Sequence, residues 1–102
     1  MIAFNNVEFY KQIQGDKPVL VDFWAPWCVY CRRLAPALES FAQQHPEITV
    51  AKVNIDEEPQ LAQAERIEVI PTLVLYQNGQ ALGSIVAPES KARLEEFVEE
   101  VL

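Results

Sequence analysis

Chemistry-bearing residues are scarce in this chain: one histidine, His45, and two cysteines, Cys28 and Cys31. A closed structural zinc site takes four ligands, and these three, with no second C-x-x-C, do not supply them. No metal site is therefore expected within one chain. Two chains together would bring four thiolates, enough to share an iron–sulfur cluster, and that alternative stays open. Basic residues are few as well. Eight Lys and Arg against 15 Asp and Glu leave a net charge of -7, which disfavours general nucleic-acid binding. No apolar run approaches the roughly 20 residues of a membrane-spanning helix. Met1-Ile2-Ala3-Phe4-Asn5-Asn6 has neither the basic stretch nor the apolar core of a signal peptide, so a cytoplasmic location is expected. Repeats, low-complexity segments and linkers are absent. The 102 residues suffice for one domain with a real core, and residues 1–102 are read as that single domain.

What the chain does have is concentrated at Phe23-Trp24-Ala25-Pro26-Trp27-Cys28-Val29-Tyr30-Cys31-Arg32. The preceding run, Val19 to Trp24, is almost wholly apolar and reads as a strand buried on both faces. A helical period follows, carried by Cys31, Leu34, Ala35, Leu38, Phe41 and Ala42. Two thiols three residues apart at a strand-to-helix handover suit reversible disulfide chemistry. The helix start sets unpaired N–H groups and the positive dipole end beside Cys28, favouring its thiolate. Asp22 interrupts the strand, and a carboxylate there is costly unless it is paired or neutralised. Arg32 and Arg33 flank the turn, as solvated helix surface or as positive potential near the thiolate.

The remaining chain supplies the scaffold. Asn5 or Asn6 can cap a first helix whose Val7, Tyr10 and Ile13 share a face. Pro36 lies within the second helix and predicts a kink. His45 suits that helix's C-terminal end. Ile48 to Ile55 reads as a strand, with Lys52 either exposed or set across from Asp22. Asp56-Glu57-Glu58-Pro59 opens a short helix with acid at its N-terminal end. Pro71 stands before the strand Leu73 to Tyr76, Asn78-Gly79 signals a hairpin, and Gln80 to Val86 returns. Pro88 or Ser90 starts a last helix with a Leu94, Phe97, Val98, Val101, Leu102 stripe. The order is β-α-β-α-β-α-β-β-α: an α/β fold with a central mixed five-stranded sheet flanked by four helices. C-x-x-C then sits at the C-terminal end of a central strand, where open α/β sheets tend to carry their sites.

Val21-Asp22-Phe23-Trp24-Ala25-Pro26-Trp27-Cys28-x-x-Cys31, Pro36, Val50 to Asp56, Ile70-Pro71-Thr72 and Asn78-Gly79, in this order, resemble the thioredoxin family over essentially the full length. The resemblance implies a thioredoxin-like fold and protein-disulfide reductase activity. It implies Cys28 as the attacking and Cys31 as the resolving cysteine, with Asp22 moving a proton to or from Cys31 and Lys52 as its neighbour. Pro71 resembles a cis-proline facing the disulfide, and Ile70 would offer backbone groups to substrate. Trp27 resembles the ring beside the active turn, and Trp24 a support below it. The partners implied are thioredoxin reductase or a similar electron donor and disulfide-containing proteins. No cofactor beyond the redox-active disulfide is implied, and a monomer is expected.

Two departures from the family pattern stand out. The usual turn is Cys-Gly-Pro-Cys, and here it is Cys28-Val29-Tyr30-Cys31. Tyr30 restores an N–H that could reach a sulfur, so a more oxidising couple is expected. Tyr30 also adds aromatic surface beside the nucleophile. Ala87 stands where glycine is common, and its methyl narrows the substrate groove. Two other readings follow: a more oxidising oxidoreductase or isomerase, and an accessory subunit that uses its redox state only as a switch.

Overall fold

A computed structural model describes residues 1–102. The elements are β1 (Ile2–Ala3), α1 (Asn6–Gln12), β2 (Val19–Trp24), α2 (Val29–Gln44), β3 (Thr49–Asn54), α3 (Pro59–Ala64), β4 (Thr72–Gln77), β5 (Gln80–Val86) and α4 (Lys91–Val101). The five strands form one sheet in the order β1-β3-β2-β4-β5. β1, β3 and β2 run parallel, and β4 and β5 are antiparallel to their neighbours. The mixed sheet read from the sequence is therefore the one observed. No helix is long and apolar enough to cross a membrane.

Strand periodicity builds a core on each face of the sheet. Val19, Val21 and Phe23 of β2 point to one face, with Phe9 and Ile13 at α1 and Leu61 of α3 packed there. Leu20 points to the other, against Leu34, Leu38 and Phe41 of α2 and Leu94, Phe97 and Val98 of α4. By the same alternation Asp22 belongs to the α2 face.

Helix ends follow side-chain chemistry. Asn5 caps α1 in a reciprocal box with Glu8, and Ser90 Oγ accepts the Arg93 N–H to cap α4. The inward residue of α1 is Phe9, fully buried, and not Val7 or Tyr10, which are exposed. Phe9 stands edge-on to Phe23, Tyr76 and Tyr10, and its wholly apolar ring fills the core position while Tyr10 keeps its hydroxyl towards solvent. α2 continues through Pro36. The Asn78-Gly79 turn has positive φ at both residues, as a tight hairpin requires. It is also tied inward: the Asn78 and Gly79 N–H groups donate to the Gly15 and Ile13 carbonyls, each at 2.8 Å.

Candidate active site

β2 ends at Trp24, and four residues later Cys28 is the N-cap of α2. Its sulfur accepts the Cys31 N–H at 3.2 Å, the N3 donor that a serine or aspartate cap would ordinarily satisfy. Cys28 and Cys31 are joined by a disulfide. The amide on the Cys28 sulfur is thus that of Cys31. No bond from the Tyr30 N–H to either sulfur is found; the contact is made by the next amide, that of Cys31.

The facing wall is the loop before β4. The Ile70–Pro71 peptide is cis, and the Ile70 carbonyl oxygen lies 3.9 Å from the Cys28 sulfur. Thr72 Oγ1 donates to the Val69 carbonyl at 2.6 Å and pins this bend. The Ala87 N–H donates to the Pro71 carbonyl at 2.9 Å, which holds the end of β5 against the same loop. Ala87 adopts φ 44°, a left-handed backbone that costs an L-residue about 1 kcal/mol. The expected groove members Ile70, Pro71 and Ala87 are therefore brought together with Cys28.

Trp27, Val29 and Tyr30 are exposed around the turn. Trp27 is oriented by its indole N–H, which donates to Asp56 Oδ2 at 2.9 Å. Sequence places Asp56 at a helix start and in the stretch that resembles the family, but its hold on Trp27 depends on a contact across 29 residues that no local pattern displays. The Arg33 guanidinium lies 5.6 Å from the Tyr30 ring centroid.

Asp22 and Lys52 are register partners on β2 and β3. No ion pair joins them. The Lys52 ammonium instead sits 4.7 Å from the centre of the Trp24 ring. Asp22 Oδ1 and Trp24 Nε1 are buried without hydrogen-bond partners. Burial pushes the Asp22 carboxyl up to about 7, and the nearby Lys52 charge offsets part of that rise. A carboxyl poised there can take or give a proton at neutral pH. Trp24 packs against the small cluster of Ala25, Cys28 and Cys31, under the active turn as expected. No three His, Cys, Asp or Glu side chains converge as metal ligands. A cleft of about 910 Å³ lies away from this site, at the far end of α2, by His45, Glu47 and α4.

Comparison with known proteins agrees with this geometry. The family model described as thioredoxin matches residues 1–100. A thioredoxin of Alicyclobacillus acidocaldarius is 44% identical over 102 residues, covering 99% of this chain and 97% of its own. A bifunctional thioredoxin reductase/thioredoxin of Mycobacterium leprae is 41% identical over 95 residues, covering 91% of this chain and 21% of its own. A solved Plasmodium falciparum thioredoxin superposes with a TM-score of 0.90 at 27% identity, covering 100% of both chains. A strand-to-helix C-x-x-C disulfide facing a cis-proline, on this sheet and with these relatives, leaves one conclusion: the chain belongs to the thioredoxin family and is a thiol–disulfide oxidoreductase.

Proposed function

We propose that the protein reduces protein disulfides, with Cys28 as nucleophile and Cys31 as resolving thiol. The observation that carries the assignment is the Cys31 N–H on the Cys28 sulfur at the start of α2, a donor placed to stabilise a thiolate. The Cys28 thiolate attacks one sulfur of the substrate disulfide. A Cys28–substrate bond forms, the old bond breaks, and the other substrate sulfur leaves as a thiolate that takes a proton. Asp22 accepts the Cys31 proton. Cys31 then attacks Cys28, releasing the second substrate thiol and leaving the Cys28–Cys31 disulfide. Lys52 acts beside Asp22, keeping part of its carboxylate ionised. Exposed Trp27, Val29 and Tyr30, with Ile70, Pro71 and Ala87, form the substrate surface, and the Ile70 backbone pairs with an extended substrate segment.

Residues 1–102 work as one monomeric domain in the cytoplasm, and the redox group is the chain's own Cys28–Cys31 pair, with no cofactor. Two electrons return from a thioredoxin reductase or similar donor. The fused reductase named in the Mycobacterium leprae relative supports that partner.

The roles of the two cysteines are separable. Cys31→Ser should trap a covalent complex with a disulfide protein, detected by non-reducing electrophoresis and mass spectrometry. Cys28→Ser should trap none, and the opposite pattern reverses the assignment. The double Cys28→Ser, Cys31→Ser variant should lose nearly all reductase activity. Retention of biological function by that variant would support the accessory-subunit reading instead.

A further inference from the structure

Beside the active turn is a pocket of about 400 Å³ lined by Tyr30, Arg33, Leu34, Ala87, Pro88 and Glu89. It adjoins the groove directly, because the Ala87 N–H is bonded to the Pro71 carbonyl. One wall is the first turns of α2, and the other is the loop between β5 and α4. Leu34 and Pro88 are buried, and with the Ala87 methyl they give the pocket an apolar floor. Its charged members have opposite sign and stand on opposite walls: Arg33 on α2, and Glu89 on the loop. Arg33 is held over the Tyr30 ring, and neither Arg33 nor Glu89 has a salt-bridge partner in the chain.

We propose that this pocket receives an uncharged apolar side chain flanking the substrate's disulfide cysteine, and that Arg33 and Glu89 make it a filter against charge of either sign. The inference rests on the reductase reading above and adds a substrate class to it. An acidic side chain entering the pocket meets Glu89, and a basic one meets Arg33. In each case the favourable opposite charge is offset by the like one, while desolvation of the incoming charge goes uncompensated. An apolar side chain meets neither penalty and gains contact with the floor. The turn positions the filter: without Tyr30, Arg33 has no ring to lie on.

The test uses the reduced protein and short peptides that each carry one intramolecular disulfide and differ only in the residue next to one cysteine: Leu, Ala, Asp or Lys. Each turnover oxidises Cys28 and Cys31 to the disulfide and reduces the peptide disulfide to two thiols, so electrons and protons balance. The wild type is expected to reduce the Leu peptide about five- to tenfold faster than the Asp or Lys peptide, with Ala between. Rates are compared as ratios within each variant, which removes any change in overall activity. Glu89→Ala should raise the Asp-to-Ala ratio, and Arg33→Ala should raise the Lys-to-Ala ratio. Each should lower the other ratio, because Arg33→Ala leaves an acidic side chain facing Glu89 alone and Glu89→Ala leaves a basic one facing Arg33 alone. Equal rates across the four peptides overturn the filter while leaving the reductase reading intact, and ratios unmoved by both variants also overturn it. Failure to reduce any peptide overturns both.

Discussion

Asparagine in place of Asp22 removes a carboxylate from a buried site where one oxygen has no partner. The folded carboxyl titrates near 7, against 3.8 in the ordinary case. Between those values the folded protein holds a proton that the unfolded chain has released, so Asp22 lowers stability as pH rises through that window. A gap of about 3 units corresponds to at most about 4 kcal/mol. Asp22→Asn should therefore be more stable than wild type at pH 8 by about 2–4 kcal/mol, with the gain vanishing towards pH 4. Denaturant titration at several pH values reads this directly, and a gain independent of pH would contradict it. The same variant should slow the resolving step, so that mixed disulfides live longer. Asp56 acts one contact removed from the chemistry, through the Trp27 indole. Asp56→Ala should raise KM for a protein disulfide about threefold, with little change for a small aromatic disulfide that does not need an oriented Trp27. Equal effects on both substrates would count against this positioning role.

Among the elements, α2 carries the active turn at one end and a charged clasp at the other. At the turn, Tyr30→Pro removes one of the unpaired N–H groups that make the helix start positive, without breaking a bond to sulfur, and should shift the Cys28–Cys31 couple to a more negative potential, on the order of 10–30 mV. Equilibration with dithiothreitol or glutathione tests this. An unchanged value near the family's about −270 mV in both proteins would sink the expectation of a more oxidising couple. At the far end, His45 lies between two carboxylates, with Nε2 at 2.7 Å from Glu95 and Nδ1 at 3.2 Å from Glu47. A neutral ring can donate to only one of them, so the protonated ring fits both. The Glu95 contact, above all, raises the His45 pKa. This stabilisation is fully present below the unfolded value of 6.5 and is lost as pH rises through the folded value. His45→Gln should thus be less stable than wild type at pH 6 by about 1 kcal/mol or less, and the two should converge in mild alkali. What the sequence displayed of these elements was local. The apolar run of β2, the Asn78-Gly79 turn and the stripe of α4 are visible because each depends on neighbours a few residues away. The inward face of α1 is ambiguous in the sequence, since Val7, Tyr10 and Ile13 fit the period nearly as well as Phe9 and Ile13. Lys52 beside Asp22 and Trp27 on Asp56 need strand register and loop closure, which spacing does not encode. The cis state of Ile70–Pro71 came from family resemblance, not from local sequence.

For the molecule as a whole, the sheet is a shared wall between two apolar clusters. Phe9 and Leu38 are both fully buried on opposite faces of it. Phe9→Ala and Leu38→Ala should each lower unfolding stability by about 3–4 kcal/mol, and both should keep one cooperative transition. A second transition in either variant would mean that the two faces unfold separately. The hairpin between β4 and β5 has a practical consequence of its own. Tight surface turns are the usual places to graft an epitope, a tag or a sensor domain. Here the two turn amides are fastened to the carbonyls of Ile13 and Gly15, and a side chain at Gly79 would meet Gln14. A foreign peptide spliced between Asn78 and Gly79 would unfasten the end of α1 from the sheet, making this turn a poor site for display on the scaffold.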